Sequence, residues 1–297
     1  MSENTRDRIF NVINVLLMFI VAAVTLYPFW YCIVISFNEG VDAMKGGIYL
    51  WPRKWSVENY EFILTSSRTL RAILNSVLRT VIGTLLHIAF TGVAAYGLSK
   101  RWIWGRRVYM VIFVITMYFG GGLIPYYMLL RDLKLLDNFL VYVIPSMWSF
   151  YDAILFMSYY ASIPESLEDA ARIDGAGALR IFKDIILPGS VPIFATVALF
   201  QGVAQWGAWF DTAIYTKSDN LVTLQSIMTQ MIRSAEAAQE MNKQLAEAGV
   251  TQNAFATIKP VTIRVATMVF TTFPIAVLYP FLQKYFIKGI MLGSVKG

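Results

Sequence analysis

Cysteine and histidine are nearly absent. The 297 residues contain one of each, Cys32 and His87. A disulfide framework and a Cys- or His-based metal site therefore have no material to work with, and a Ser-His-Asp triad has a single imidazole to draw on. Charge is scarce as well: Asp, Glu, Lys and Arg make up 15% of the chain, against about 25% in soluble domains. Hydrophobic residues make up 57% and the mean hydropathy is +0.56. That balance points to a membrane, although length alone would suggest roughly two soluble domains. The formal charge of +6 is too dilute for a nucleic-acid partner, and Lys and Arg on the cytoplasmic side of a membrane protein produce the same sign. The string G-x-x-x-x-G-K-[ST] does not occur, so the usual ATP phosphate cradle is missing. Internal repeats and low-complexity tracts are missing too.

Long apolar runs are what the sequence does have. A helix needs about 20 mostly apolar residues to cross the hydrocarbon core. Residues 10–37, 72–98, 108–130, 139–161, 191–215 and 261–283 qualify, which predicts an all-α integral membrane protein with six transmembrane helices. The first run is longer than a signal-peptide core of about 7–15 residues, and no small-x-small site follows it, so it reads as an uncleaved anchor. The short loop SKRWIWGRR carries Lys100, Arg101, Arg106 and Arg107, and short basic loops stay inside. With six crossings both termini are then cytoplasmic. The wider charge bias is modest, so this orientation rests mainly on that loop. The polar connections 38–71 and 216–260 fall outside, and MIRSAEAAQEMNKQLAEAGV in the second reads as a surface helix.

On this topology residues 162–190 face the cytoplasm, and they form the most charged stretch in the chain. In SIPESLEDAARIDGAGALRIFKDIILP, Ser162 and Glu165 have capping-box spacing and Pro164 suits a first turn. Glu165, Glu168 and Asp169 favour the positive end of a helix dipole. Leu167, Ala170, Ala171 and Asp174 share one helical face, with small side chains that allow a close approach. Gly175 is placed to stop this helix. A second helix from Ala178 to Leu187 then carries Ile181, Phe182, Ile185 and Ile186 on an apolar face and ends before Pro188. Taken alone, this is a helical hairpin lying at the bilayer interface.

The string LEDAARIDGA…ILP resembles the EAA signature of ABC importer permeases. In that family the loop is the coupling helix, seated in a groove of the ATP-binding subunit. The resemblance implies that role for Glu168, Asp169, Ala170, Ala171, Asp174, Gly175, Ala176, Leu187 and Pro188. The signature's glutamate is Asp169 here, with one methylene less reach. YFGGGLIPYYMLLRDLKLLDNFLVYVIP (from Tyr118), AAYGLSK (from Ala94) and YPFLQKYFIKGIMLGSVKG (from Tyr279) resemble carbohydrate-uptake permeases. They are most like the second permease of maltose-type importers, in the subgroup that handles complex or acidic oligosaccharides such as alginate or pectin fragments. The implied architecture is a type I ABC importer permease fold. Residues 1–70 form an anchor helix and external loop, 71–284 the permease core with its coupling loop at 162–190, and 285–297 a cytoplasmic tail whose part from Lys288 to Gly297 reaches toward the ATPase.

The same resemblance implies the partners: a second homologous permease, a homodimeric ATP-binding subunit, an extracytoplasmic solute-binding protein, membrane lipid and an oligosaccharide. It implies no enzymatic activity and no cofactor on this chain, with ATP and Mg held by the partner ATPase. It places the protein, multi-pass, in a bacterial cytoplasmic (inner) membrane. A secondary transporter is an alternative that leaves the coupling loop without a use, and a membrane subunit with no transport role is another.

Ionisable groups inside spans are candidates for the substrate path. Arg79 lies about 31 Å from Lys100 along a helix, and Arg264 stands at a similar height above Lys284. Each reads either as a cation reaching the interface or as an attractor of an acidic sugar. Asp152 falls near mid-bilayer, either partnered and facing a cavity or hydrogen-bonded within the bundle. FQGVAQWGAWFD adds Gln201, Gln205, Trp206, Trp209 and Asp211. Trp206 with Gln205 reads equally as cavity lining or interfacial belt, and Trp209 as belt. Asn75 and His87 are twelve apart and need not share a face.

Overall fold

The computed structural model describes residues 5–100, 102–247 and 261–293, with side chains for 7–100, 102–234, 237, 261–277 and 280. Among these residues the regular structure is helical, apart from one isolated antiparallel bridge between Asn38 and Trp55. The first helices are α1 (Thr5–Ser36), α2 (Gly40–Ala43), α3 (Glu58–Thr65) and α4 (Ser67–Ser99). Then come α5 (Arg106–Tyr118), α6 (Leu123–Asp132), two 3₁₀ turns (Phe139–Tyr142 and Ile144–Ser146) and α7 (Phe150–Tyr160). Next are α8 (Glu165–Ile173), α9 (Ala178–Ile181), a π turn (Phe182–Ile186) and α10 (Leu187–Gly189). The series closes with α11 (Val191–Gly207), α12 (Phe210–Tyr215), α13 (Leu224–Glu247) and α14 (Val261–Gly293). The chain clusters into two compact units, one of Met1–Ser67 with Gln230–Phe273, the other of Arg68–Thr229 with Pro274–Gly297.

In the first unit, α1 runs for 32 residues, about 48 Å at 1.5 Å per residue, which is longer than a hydrocarbon core. Its apolar side chains are exposed from Ile9 to Ile33, as suits a helix solvated by lipid. The chain beyond it is tied together by Asn38. The Asn38 amide oxygen accepts from the backbone N–H groups of Arg53 and Lys54, both at 2.9 Å. Its amide nitrogen donates to Asp42 at 3.2 Å, and Asp42 also receives Arg53 Nε at 2.9 Å. The polar connection after α1 is thus a folded structure.

The second unit is built inside out. Along α4 the buried stripe carries Ser76, Arg79, Gly83, His87 and Thr91, while Leu74, Val77, Leu78, Leu85 and Phe90 are exposed. Polar groups face protein and apolar groups face outward, the arrangement expected where the solvent is hydrocarbon. Tyr96 and Ala95 of α4, Phe150, Ala153, Phe156 and Tyr160 of α7, Val197 of α11, and Ile181, Phe182 and Ile186 form one apolar core.

The span count differs from the six expected unbroken helices. Among the described residues two helices are long and apolar enough to cross a membrane unbroken, Asp7–Ser36 and Ser67–Ser99. Three further candidates are bent pairs: Arg106–Tyr118 with Leu123–Asp132 at 114°, Phe139–Ser146 with Phe150–Tyr160 at 45°, and Ala178–Gly189 with Val191–Gly207 at 80°. Val261–Val277 is a shorter apolar helix. The 114° bend falls at Gly120–Gly122, where Gly122 has φ 84°, a conformation that side chains disfavour. Pro145 confines the stretch before α7 to 3₁₀ turns, and Ser149 caps α7 by accepting from the Asp152 N–H at 3.2 Å. The run 191–215 splits at Ala208, whose ψ of 125° is extended.

Candidate functional site

Helix α8 departs from its expected start. The capping box does not form: Ser162 Oγ donates back to the Tyr159 carbonyl at 2.6 Å, and Pro164 is the residue at the cap. Proline disfavours helical backbone at the residue before it, so the helix cannot begin at Ile163 and starts at Glu165. Acidic residues in its first turn and Arg172 in its last still match the dipole. Its end is a Schellman motif. Gly175 has φ 79°, its N–H donates to Arg172 O at 3.0 Å, and the Ala176 N–H donates to Ala171 O at 2.9 Å.

The second half of the hairpin also differs from expectation. In place of one helix ending before Pro188 there is α9, the π turn and then α10, which contains Pro188. Proline removes an amide donor and crowds the carbonyl four residues back, and the wider π register accommodates both. Ile181, Phe182 and Ile186 are buried here and Ile185 packs against them, on the face the sequence indicates.

Around α8 the residues divide cleanly. Glu168 is buried, at 8% exposed, and Ala171 and Ala176 pack on the apolar core. Leu167, Asp169, Ala170, Asp174 and Gly175 are exposed. So are Ile173, at 87%, and Leu179. Leu187 and Pro188 are exposed at the far end of the hairpin.

A second feature is the polar network on α4. Arg79, 2% exposed, donates from Nε and Nη2 to Gln205 Oε1 at 3.2 and 3.0 Å. It meets Asp211 through Nη1 at 3.1 Å and Nη2 at 2.5 Å, and Nη1 reaches the Ala208 carbonyl at 3.3 Å. That carbonyl is the one freed where α11 breaks from α12, so Arg79 caps the broken helix. The guanidinium also lies 4.4 Å above the Tyr142 ring. Gln205 Nε2 donates to Tyr142 O at 3.1 Å and to Ser146 Oγ at 2.6 Å. His87 joins through the Ser146 carbonyl at 2.6 Å and Asp152 Oδ2 at 3.0 Å. A cavity of about 290 Å³ opens beside Arg79, Gln201, Gln205 and Asp211, walled by Tyr126, Tyr142 and Tyr215.

The Ser146 carbonyl can only accept, so His87 Nδ1 is the donor of that bond, and Nε2 faces Asp152.

No family model matches the chain. Among curated proteins, the polygalacturonan/rhamnogalacturonan transport system permease protein YtcP of Bacillus subtilis is 32% identical over 294 residues, covering 98% of this chain and 100% of its own length. Protein LplC of the same organism is 31% identical over 296 residues, covering 99% and 98%. The chain belongs to the permease family of sugar ABC importers. Among solved structures, the permease matches one from a bacterial ABC transporter involved in the import of the acidic polysaccharide alginate. The TM-score is 0.83 at 30% identity, covering 96% of this chain and 99% of that one. A chain of a bacterial alginate ABC transporter in complex with alginate pentasaccharide-bound periplasmic protein shares the fold, with TM-score 0.53 and 15% identity.

The permease brings Arg79, Gln205 and Asp152 into one connected network, and Trp206 sits half-buried on the same helix as Gln205. Arg264 belongs to the other unit, half-buried, with its Nε enclosed and without a hydrogen-bond partner. The tail from Lys288 to Gly297 lies outside the described side chains, as does Arg101. Sequence reasoning missed Ser146 and Tyr142 as members of the network and the pairing of Arg79 with Asp211. A signal was present: Ser76, Arg79, Gly83, His87 and Thr91 recur at helical spacing along one face of an otherwise apolar run.

Proposed function

We propose that this permease forms half of the translocation path of an ATP-driven, binding-protein-dependent importer of oligosaccharides, with α8 to α10 as its coupling element. The observation that carries the reading is α8 itself, held inward by Glu168 and Ala171 while Ile173, Leu179, Leu167 and Asp174 stand exposed. In this reading the α8 side and both termini face the cytoplasm of a bacterial host. Residues 1–70 form an anchor helix and external loop, 71–284 form the core, which carries five of the six spans, several of them broken, and 285–297 form a cytoplasmic tail. A homodimeric ATP-binding subunit holds ATP and Mg and seats α8, a second homologous permease completes the pore, and an extracytoplasmic solute-binding protein delivers the sugar. ATP must bind the outward-facing state more tightly than the inward-facing one for transport to be driven. An acidic, uronate-containing oligosaccharide is the substrate class favoured by the likeness to the alginate importer and the polygalacturonan permease. Arg79, Asp152, Gln205, Trp206 and Arg264 are the candidate residues of the path in this reading.

The test is reconstitution with the partner permease and the ATP-binding subunit, reading sugar-stimulated ATP hydrolysis in wild type, Gly175→Pro and Ile173→Asp. Proline cannot adopt the φ of 79° found at Gly175, so the end of α8 must rearrange. Stimulation is expected to vanish in Gly175→Pro while the two permeases still assemble, and Ile173→Asp is expected to release the ATP-binding subunit. Unchanged stimulation in both variants would leave α8 an interfacial hairpin and sink the proposal.

A further inference from the structure

Glu168 is the charged residue of α8 that does not face outward. Its carboxylate meets Lys100 Nζ in an ion pair, and its second oxygen receives Arg172 Nη2 at 3.5 Å. Lys100 stands one residue past the end of α4, with its ammonium 4.4 Å above the Tyr96 ring. Side-chain exposure is 16% for Lys100 and 11% for Glu168, so the attraction acts across a poorly screened gap. Beside the pair lies a cavity of about 460 Å³ bordered by Ser99, Trp102, Glu165 and Arg172. The ion pair borders this cavity, and Ala171 of α8 packs nearby on the apolar core to which Ala95 and Tyr96 of α4 belong.

Helix α4 leads straight from this point to the polar network. Arg79 precedes Lys100 by 21 residues on an unbroken helix, about 31 Å. It is the group that caps α11 at the Ala208 carbonyl and holds Gln205. A displacement of α8 that pulls Lys100 is therefore delivered along a rigid rod to the α11–α12 break.

We propose that the Lys100–Glu168 ion pair is the joint through which the coupling helix moves α4, so that both are positioning residues for transport. Glu168 then faces its own subunit, and the outward contacts of α8 are left to Ile173, Asp169 and Asp174. This rests on the reading of α8 as the coupling element.

The complete importer in nanodiscs tests it, with three readouts: retention of the ATP-binding subunit, the ratio of sugar-stimulated to basal ATP hydrolysis, and sugar transported per ATP. The variants are Lys100→Met, the near-isosteric Glu168→Gln, and the swap Lys100→Glu with Glu168→Lys. Expected is full retention of the ATP-binding subunit in all three. The stimulated-to-basal ratio and the transport per ATP are expected to fall about tenfold in each single variant and to recover largely in the swap. Wild-type ratios in both single variants overturn the joint. So does a loss that the swap fails to recover, because the effect then belongs to one side chain and not to the pair. Ile173→Asp runs alongside as a control for docking. If it also leaves the ATP-binding subunit bound and stimulation intact, the coupling reading falls with the joint. If it releases the subunit while Lys100→Met is silent, only the joint falls.

Discussion

Asp137 shows how much one carboxylate can organise outside the spans. It adopts φ 54° after α6, donates its N–H to Tyr215 O at 2.8 Å, and accepts at Oδ1 from the N–H groups of Ser218 at 2.8 Å and Lys217 at 2.9 Å. Those bonds from Ser218 and Lys217 hold its carboxyl below the usual carboxylate range. A group whose pKa is lowered by folding adds stability that is complete above its unfolded value, about 3.9, and is lost as pH falls through the lower folded value. Asp137→Asn keeps the shape and removes the charge. It is expected to lower the thermal midpoint of the detergent-solubilised protein at pH 7, with the gap to wild type closing as pH drops below about 4. A gap that is constant with pH would mean the charge has no part in holding this turn. Pairings of this kind are hard to read from sequence, because Asp137 meets residues 80 and 81 positions later. Arg79 is the same case. Its type and place in a span mark it as a candidate, but snorkelling and burial are separated only by Asp211, 132 positions on.

Elements were legible as apolar runs, because hydropathy over about 20 residues reports what hydrocarbon accepts. Their breaks were not, although FGGG and Pro145 stand in the sequence, since a window average passes over a backbone turn. Whether a break is tolerated at membrane depth depends on who satisfies the freed carbonyl, and at Ala208 that partner is Arg79 on α4. Helix contacts are equally invisible in hydropathy. Gly92 sits where a Cβ would lie 2.7 Å from Phe194 Cζ and 2.8 Å from Cε1, and its carbonyl accepts from Tyr160 OH at 3.1 Å. Gly92 thereby brings α4, α7 and α11 together. Gly92→Ala is expected to destabilise by about 1–3 kcal/mol through overpacking, with part of the loss recovered in the double variant with Phe194→Leu. Unfolding midpoints of the single and double variants decide it. A loss that Phe194→Leu does not relieve would place the strain elsewhere.

At the scale of the whole molecule, the family was legible from one short string, LEDAARIDGA…ILP, whose residue types and spacing the docking proposed for α8 would restrict. Cargo is a different matter, since it depends on charges summed over a path. Arg79 and Asp211 both border the cavity and meet through two bonds. Along this network the Arg79 charge is met by Asp211. For the importer proposed above, acid is therefore expected to be chosen over neutral before the sugar reaches the cavity, at the solute-binding protein. The prediction concerns the ratio of uptake for a uronate trimer and a neutral trimer supplied with the same binding protein. Replacing the pair by Arg79→Gln with Asp211→Asn removes both charges and keeps their sum. It is expected to slow uptake of both sugars alike, leaving the ratio within about twofold, because the fields of two close opposite charges largely cancel and fall off faster with distance than that of either charge alone. Radiolabelled uptake into proteoliposomes measures it. A ratio that moves tenfold or more against the uronate would place selection at Arg79 itself, with Asp211 as a stand-in for the sugar's own carboxylate that the substrate displaces as it passes.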